Sequence, residues 1–265
     1  MKKILIMLLL ISTGTSLFAQ GMEKQEKQDE ARLKTLPVLW MQSAAEYRAL
    51  CYQAFNLATL RINELPASAF TKGNLAIITD IDETILDNSP QEARLIKESQ
   101  EYNKKSWDEW TKLASAAVIP GATEFLQYAK KKGISIFYIS NRDTADVNYT
   151  LVNLKKGQLP DADKEHLLFR SKESSKETRR QEVMRKYNVV MLMGDNLNDF
   201  TKDFEKGTIE ARKAATDKVR EEWGRKFIVL PNSIYGEWEN ALYNYGHGLS
   251  AHQRDSLRLK VLKSY

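Results

Sequence analysis

Residues 77–84 read Ile-Ile-Thr-Asp-Ile-Asp-Glu-Thr, an apolar run that ends in two aspartates, Asp80 and Asp82, one residue apart. Like charges this close repel, and taking them out of water is costly unless something positive neutralises them. The pattern points to a metal site at the end of a buried strand. Residues 75–79 supply that strand: they are short, apolar and rich in isoleucine, and Lys72-Gly73-Asn74 ahead of them is a turn signal.

The same pattern recurs downstream. Short apolar runs occupy residues 134–139 after Lys132-Gly133, 166–169, 189–193 after Tyr187-Asn188, and 227–230 before Pro231. Stretches of helical character lie between them, at residues 123–132, 144–155, 176–186 and 209–225. Strands alternating with helices predict an α/β fold, a Rossmann-like, mainly parallel sheet covered by helices on both faces. Residues 89–118 interrupt the alternation with helix-like charge spacing and contain Trp107 and Trp110, which predicts a small helical cap beside the first strand's end. Apolar positions at helical spacing over residues 38–65, closed by Pro66, predict a helical lead-in. With 265 residues and 42% hydrophobic content, the chain is long enough for one sizeable core.

The first residues stand apart from that core. A basic start, Met1-Lys2-Lys3, an apolar run at residues 4–11 and small residues up to Ala19 have the pattern of a cleaved signal peptide over residues 1–19. The apolar run is far short of the roughly 20 residues that cross a bilayer, so no transmembrane segment is expected after processing. Residues 20–36 read as a polar linker or frayed helix, and residues 37–265 as the folded domain. The single cysteine, Cys51, excludes an internal disulfide. The formal charge of +5 falls to +3 once Lys2 and Lys3 leave with the leader. Basic runs at residues 130–132 and 254–263 read as a solvated helix end and an amphipathic helix, so charge gives no reason to expect a nucleic-acid polymer as partner.

In an open parallel sheet ligands bind beyond the carboxyl ends of strands, and the polar residues gather there. The first strand ends in Asp80-Ile81-Asp82-Glu83-Thr84, the second in Ser140-Asn141-Arg142-Asp143, and the fourth in Gly194-Asp195-Asn196-Leu197-Asn198-Asp199. Asp80 and Asp195, from different strands, could share one hard cation, and oxygen ligands suit Mg²⁺. With the charge so offset, Asp80 could act as nucleophile toward a phosphoryl group, and Asp82 could give and take the proton. Each piece also has a plainer reading: Ser140 or Asp143 as a helix cap, Gly-Asp-Asn as a turn. Their joint occurrence at successive strand ends favours the chemical one.

Asp80-x-Asp82-x-Thr84, Ser140-Asn141-Arg142, a lysine within residues 172–176 and Gly194-Asp195-x-x-x-Asp199 resemble the four ordered motifs of the haloacid dehalogenase (HAD) superfamily. An acid two residues after the nucleophile is the mark of its phosphatases. Over the whole mature length, "WMQSAAEYRALCYQAFNLA" (residues 40–58), "DIDETILDNSP", "GDNLNDF" and "PNSIYGEWE" are similar to the lipoprotein e family of bacterial class C acid phosphatases. The resemblance implies an exported, Mg²⁺-dependent acid phosphatase or 5′-nucleotidase working through an aspartyl-phosphate on small phosphomonoesters. By that resemblance Asp80 is the nucleophile and Asp82 the general acid/base. Asp80, Asp195 and Asp199 supply metal-side carboxylates, and Asp82 adds its main-chain carbonyl. Ser140, with Asn141 beside it, holds phosphoryl oxygens, and the motif lysine pairs with phosphate and an aspartate. Lys176 is favoured because it opens the helix before the fourth strand, with Lys172 as runner-up. Trp107, Trp110 and Tyr235 are candidates to hold a nucleotide base, core packing being the alternative for at least one tryptophan. The family's lipid-bearing cysteine is missing at the mature start, which points to a periplasmic or secreted protein. An envelope ligand-binding module on the same scaffold and a phosphotransferase are the competing functions. The oligomeric state is open, a homodimer included.

Overall fold

The computed structural model describes residues 21, 25–26, 28–71, 73–170 and 172–265; the expected leader, residues 1–19, lies outside the described residues. Helices α1 (Thr35–Ser43) and α2 (Ala45–Asn63) precede strand β1 (Leu75–Thr79). Gly73 and Asn74 turn the chain into β1 with φ of 69° and 56°, a left-handed conformation that few residues other than glycine and asparagine accept readily. Strand β2 (Leu86–Asp87), helices α3 (Ser89–Glu98) and α4 (Lys104–Leu113) and strand β3 (Ala117–Val118) follow. The rest alternates: α5 (Ala122–Lys131), β4 (Ser135–Asp143), α6 (Val147–Lys156), β5 (Leu167–Arg170), α7 (Glu177–Met184), β6 (Asn188–Gly194), α8 (Ile209–Lys218) and β7 (Phe227–Val229). Helices α9 (Glu237–Leu242) and α10 (Ala251–Val261) close the chain.

The five long strands form one parallel sheet in the order β5-β4-β1-β6-β7. Side chains alternate between its faces, as the pleat requires. Ile77, Ile136, Tyr138 and Met191 join a core with α1, α2 and α5, whereas Ile78, Phe137, Ile139 and Leu192 pack with Val183, Phe200, Phe204 and Phe227 on the other side. Each fully buried aliphatic side chain contributes roughly 1.5–3 kcal/mol, so two covered faces account for the wholly buried β1. The α/β arrangement therefore stands as the sequence predicts it.

The cap is an insertion tied off at its base. β2 and β3 pair antiparallel, Leu86 with Val118 and Asp87 with Ala117, and α3 and α4 lie between them. Pro90 sits in the first turn of α3, and the side chain of Asn103 caps α4 by accepting from the Ser106 N–H at 2.9 Å. Thr111 Oγ1 donates to Asp146 at 2.9 Å, which fastens α4 beside the end of β4.

Three boundaries differ from the sequence reading. β4 runs on to Asp143 because the ladder steps from Ser140–Phe169 to Asp143–Arg170, leaving Asn141 and Arg142 unpaired as a bulge. The helix expected over 209–225 stops at Lys218, where Val219 leaves helical geometry and Trp223 turns inward against Phe200, Phe204 and Phe227. The polar stretch read as a linker or frayed helix is helical over 28–33, and its Glu30 receives Arg254 and Arg258 from α10. Docking by ion pairs is how a segment without an apolar face gains order.

Candidate active site

Strand order builds the site. β1 lies between β4 and β6, so the residues that follow these three strands meet at one edge. The Asp80 N–H donates to Met193 O at 2.9 Å, carrying the β1–β6 ladder one residue further and fixing Asp80 beside Gly194. Asp80, Asp195 and Asp199 each bring a carboxylate oxygen to within 4.8 Å of the others. At Gly194 a Cβ would stand 2.4 Å from Asp199 Cβ and Oδ2, so the chain's approach to Asp199 requires glycine.

Lys176 is the cation inside this cluster. Its Nζ is 2.6 Å from Asp80 Oδ1 and 2.6 Å from Asp199 Oδ1, and the lysine is buried. Burial works against the ammonium, yet the carboxylates of Asp199 and Asp80 outweigh it and hold its pKa above the ordinary lysine value. Asp80 is pushed well up, first by burial and then by Asp199, Asp195 and Asp82, against the help of Lys176. Asp195 rises to about 7, through burial and Asp199. Three carboxylates gathered around one ammonium, which pairs with only two of them, Asp80 and Asp199, leave a deficit of positive charge, the condition a divalent cation satisfies. The all-oxygen donor set fits a hard ion of the Mg²⁺ class.

Asp82 has a separate set of partners. Arg142 donates to it from Nε at 3.0 Å and Nη2 at 2.8 Å, Asn88 from Nδ2 at 2.8 Å and Ser140 from Oγ at 3.2 Å. Burial raises its pKa, but Arg142 and Asn88 more than reverse that, so the net shift is downward. Thr84 Oγ1 donates to Asp195 Oδ1 at 3.1 Å and Asn232 Nδ2 to Asp195 Oδ2 at 2.8 Å. The Asn196 N–H donates to Asp199 Oδ2 at 3.0 Å.

A cavity of about 1110 Å³ opens onto these groups, lined by Asp80, Asp82, Asn141, Lys176, Asp195 and Asp199. Trp107 and Tyr235 also line it. Ser140 lies just behind the wall, fully buried, accepting from the Arg142 N–H at 3.1 Å while it donates to Asp82. Asn141 reaches sideways, donating to Ser174 O at 2.9 Å and accepting from Arg179 at 2.7 Å. Lys172 lines the same cavity but is solvent-exposed, unlike Lys176. The Tyr235 hydroxyl donates to the buried Glu83, which fixes its ring at the rim. Trp107 stacks against the Arg142 guanidinium, 5.4 Å from ring centroid to Cζ. Trp110 is not among the lining residues: it packs on the core and donates from Nε1 to Asn88 Oδ1 at 2.8 Å, two bonds removed from Asp82. Of the three base-contacting candidates, Trp107 and Tyr235 line the cavity and Trp110 does not.

Arg142, Asn88 and Asn232 do not stand out as site residues in the sequence, although each sits inside one of the motifs. Tyr102 and Tyr243, which also line the cavity, have no motif to mark them.

Residues 16–238 match the model of a known family, HAD superfamily, subfamily IIIB (acid phosphatase). The chain belongs to this family. Its members are phosphomonoesterases by class, and the carboxylates, Lys176 and the residues bonded to them lie within the matched residues. The class C acid phosphatase from Bacillus anthracis shares 38% sequence identity with this HAD acid phosphatase chain, covering 91% of it and 99% of the other, with a TM-score of 0.84. A second structure of the Bacillus anthracis enzyme, with tungstate bound, gives 40% identity, coverage of 89% and 98%, and a TM-score of 0.83. The Stem 31 kDa glycoprotein of Glycine max is 28% identical over 137 residues, 49% of this chain, and the match spans about half (54%) of that relative's length.

Proposed function

We propose that the protein is an Mg²⁺-dependent acid phosphatase that hydrolyses small phosphomonoesters, nucleoside 5′-monophosphates among them, through an aspartyl-phosphate at Asp80. The observation that carries this reading is the sharing of one buried lysine by Asp80 and Asp199 beside Asp195, with Asp82 held apart by Arg142. Two neighbouring carboxylates with different partners can take different roles. The tungstate in the Bacillus anthracis relative is a tetrahedral oxyanion, which agrees with a phosphate pocket.

In the first half-reaction an Asp80 oxygen attacks phosphorus, the ester P–O bond breaks, and the leaving oxygen takes a proton from Asp82, which first has to bind one from solvent because Arg142 and Asn88 hold its carboxyl below the ordinary range. In the second, a water gives its proton to Asp82 and attacks the same phosphorus, which frees Asp80 and releases phosphate. Lys176 keeps Asp80 and Asp199 together. Arg142, Asn88 and Ser140 orient Asp82, and Thr84 and Asn232 orient Asp195. Asp80, Asp195 and Asp199, with the main chain of Asp82, would hold the Mg²⁺, whose charge lets an anionic ester approach the carboxylates. Trp107 and Tyr235 line the same cavity, which supports a role for their rings beside the leaving group.

Export belongs to the same proposal, on the strength of residues 1–19; no helix among the described residues is long and apolar enough to cross a membrane. The test is phosphate release from nucleotides and phenyl phosphate by the wild type, by Asp80→Asn, and by enzyme stripped with EDTA. Loss in both, with restoration by added Mg²⁺ in the stripped enzyme and a native circular-dichroism spectrum for Asp80→Asn at the assay temperature, supports the reading. Full activity in either overturns it.

A further inference from the structure

Helix α10 has no buried residue along its 11 positions, so apolar packing does not explain its docking. Two arginines one turn apart, Arg254 and Arg258, converge instead on a single carboxylate, Glu30, whose side chain is 12% exposed. Each arginine has a second arm. Arg254 donates from Nε to Glu30 at 2.9 Å and from Nη2 to Glu101 Oε1 at 2.7 Å, next to Tyr102 in the loop between the cap helices. Arg258 pairs with Glu30 and donates from Nε to the Tyr243 hydroxyl at 2.7 Å, which itself donates to Glu239 at 3.1 Å. Tyr102 and Tyr243 both line the active-site cavity and a second one, of about 550 Å³, in which Glu30, Arg254 and Arg258 lie. The pairs thus join the cap loop to the C-terminal wall of the site from behind.

We propose that Arg254 and Arg258, joined through Glu30, hold Tyr102 and Tyr243 at a set separation and thereby select the leaving groups that the cavity admits. They are positioning residues: neither is placed to touch the reacting atoms, which gather on β1, β4 and β6 and at Lys176. A small ester meets only that chemical end, whereas a nucleoside must fit between the two walls. The inference rests on the phosphatase reading above.

The test compares KM and kcat for phenyl phosphate and adenosine 5′-monophosphate in the wild type, in Arg254→Ala/Arg258→Ala, in Glu30→Gln and in Arg258→Lys. The double variant is expected to raise KM for the nucleotide on the order of tenfold while KM and kcat for phenyl phosphate stay within about twofold. Glu30→Gln should follow the double variant, and Arg258→Lys, which keeps the charge, should recover part of the loss. Equal shifts for the two esters, or no shift for either, overturn the inference and leave the phosphatase reading intact. A wild type inactive on both esters overturns that reading and this inference with it. Should the double variant melt below the assay temperature, Glu30→Gln is judged by the same criteria.

Discussion

Lys176 Nζ lies 2.6 Å from Asp80 Oδ1, an ion pair with both side chains at least nine-tenths buried. The same ammonium meets Asp199 at 2.6 Å. Removing one partner of a buried pair leaves the other charge uncompensated, which costs about 3–5 kcal/mol. Lys176→Met is accordingly expected to lose stability by about that amount in metal-free urea denaturation, and to lose phosphate release. A denaturation midpoint equal to that of the wild type would refute this account of the cluster.

Gly194 lets Asp199 approach the strand end. In Gly194→Ala the new methyl carbon would meet Asp199 Cβ and Oδ2 at 2.4 Å, so the carboxylate must move. Overpacking of this kind costs roughly 1–3 kcal/mol, and displacing an orienting contact weakens metal affinity about 10–100-fold. Calorimetric titration with Mg²⁺ measures the second effect. Unchanged affinity would mean that Asp199 does not serve the ion.

The two cap tryptophans separate cleanly. Trp107→Ala is expected to raise KM for a nucleotide, by the equivalent of about 1–3 kcal/mol of lost stacking, and to spare kcat on phenyl phosphate. Trp110→Phe removes the donor to Asn88, which in turn orients Asp82. Its expected effect is a lower kcat with little change in KM, and about 1 kcal/mol of lost stability. Steady-state kinetics on both variants decide the matter, and the opposite pattern would exchange the roles of the two tryptophans.

Burial raises the Glu30 carboxyl, but Arg258 and Arg254 outweigh it, and its pKa is lower in the fold than the ordinary 4.5. The folded state therefore binds the proton less readily than the unfolded chain, so this carboxylate contributes stability above pH 4.5 and loses it as pH falls through the lower, folded value. The melting temperature of the wild type should exceed that of Glu30→Gln by a constant margin at neutral pH. The margin should close in the acidic range. A margin that persists at the lowest pH would show that the carboxylate's charge is not what matters.

The order of strands and helices was legible because short isoleucine-rich runs and turn residues act locally. Gly73-Asn74 turns the chain before β1, and the pleat sends Ile77 and Ile78 to opposite faces whatever their neighbours are. The acidic residues were legible for a related reason. Carboxylates at successive strand ends conflict with burial, and their motif spacing shows in the chain itself. Lys176 was favoured over Lys172 by position alone, and the fold puts Lys176 within the carboxylates and Lys172 at the solvent side.

What tertiary structure alone decided lies between segments distant in sequence. The bulge that frees Arg142 depends on the register of β4 against β5, and the arm it extends to Asp82 crosses 60 residues. Trp110 and Trp107 occupy one helix and carry the same side chain, yet one turns to the core and one to the cavity because α4 is docked at a particular rotation. Glu30 meets Arg254 and Arg258 across more than 220 residues, and no local periodicity reports such a pairing. The sequence by itself determined which elements form and where charge must be neutralised, since those follow from backbone sterics and the cost of dehydrating carboxylates. The fold decided which side chains face one another, since that depends on how rigid elements pack once their apolar faces are covered.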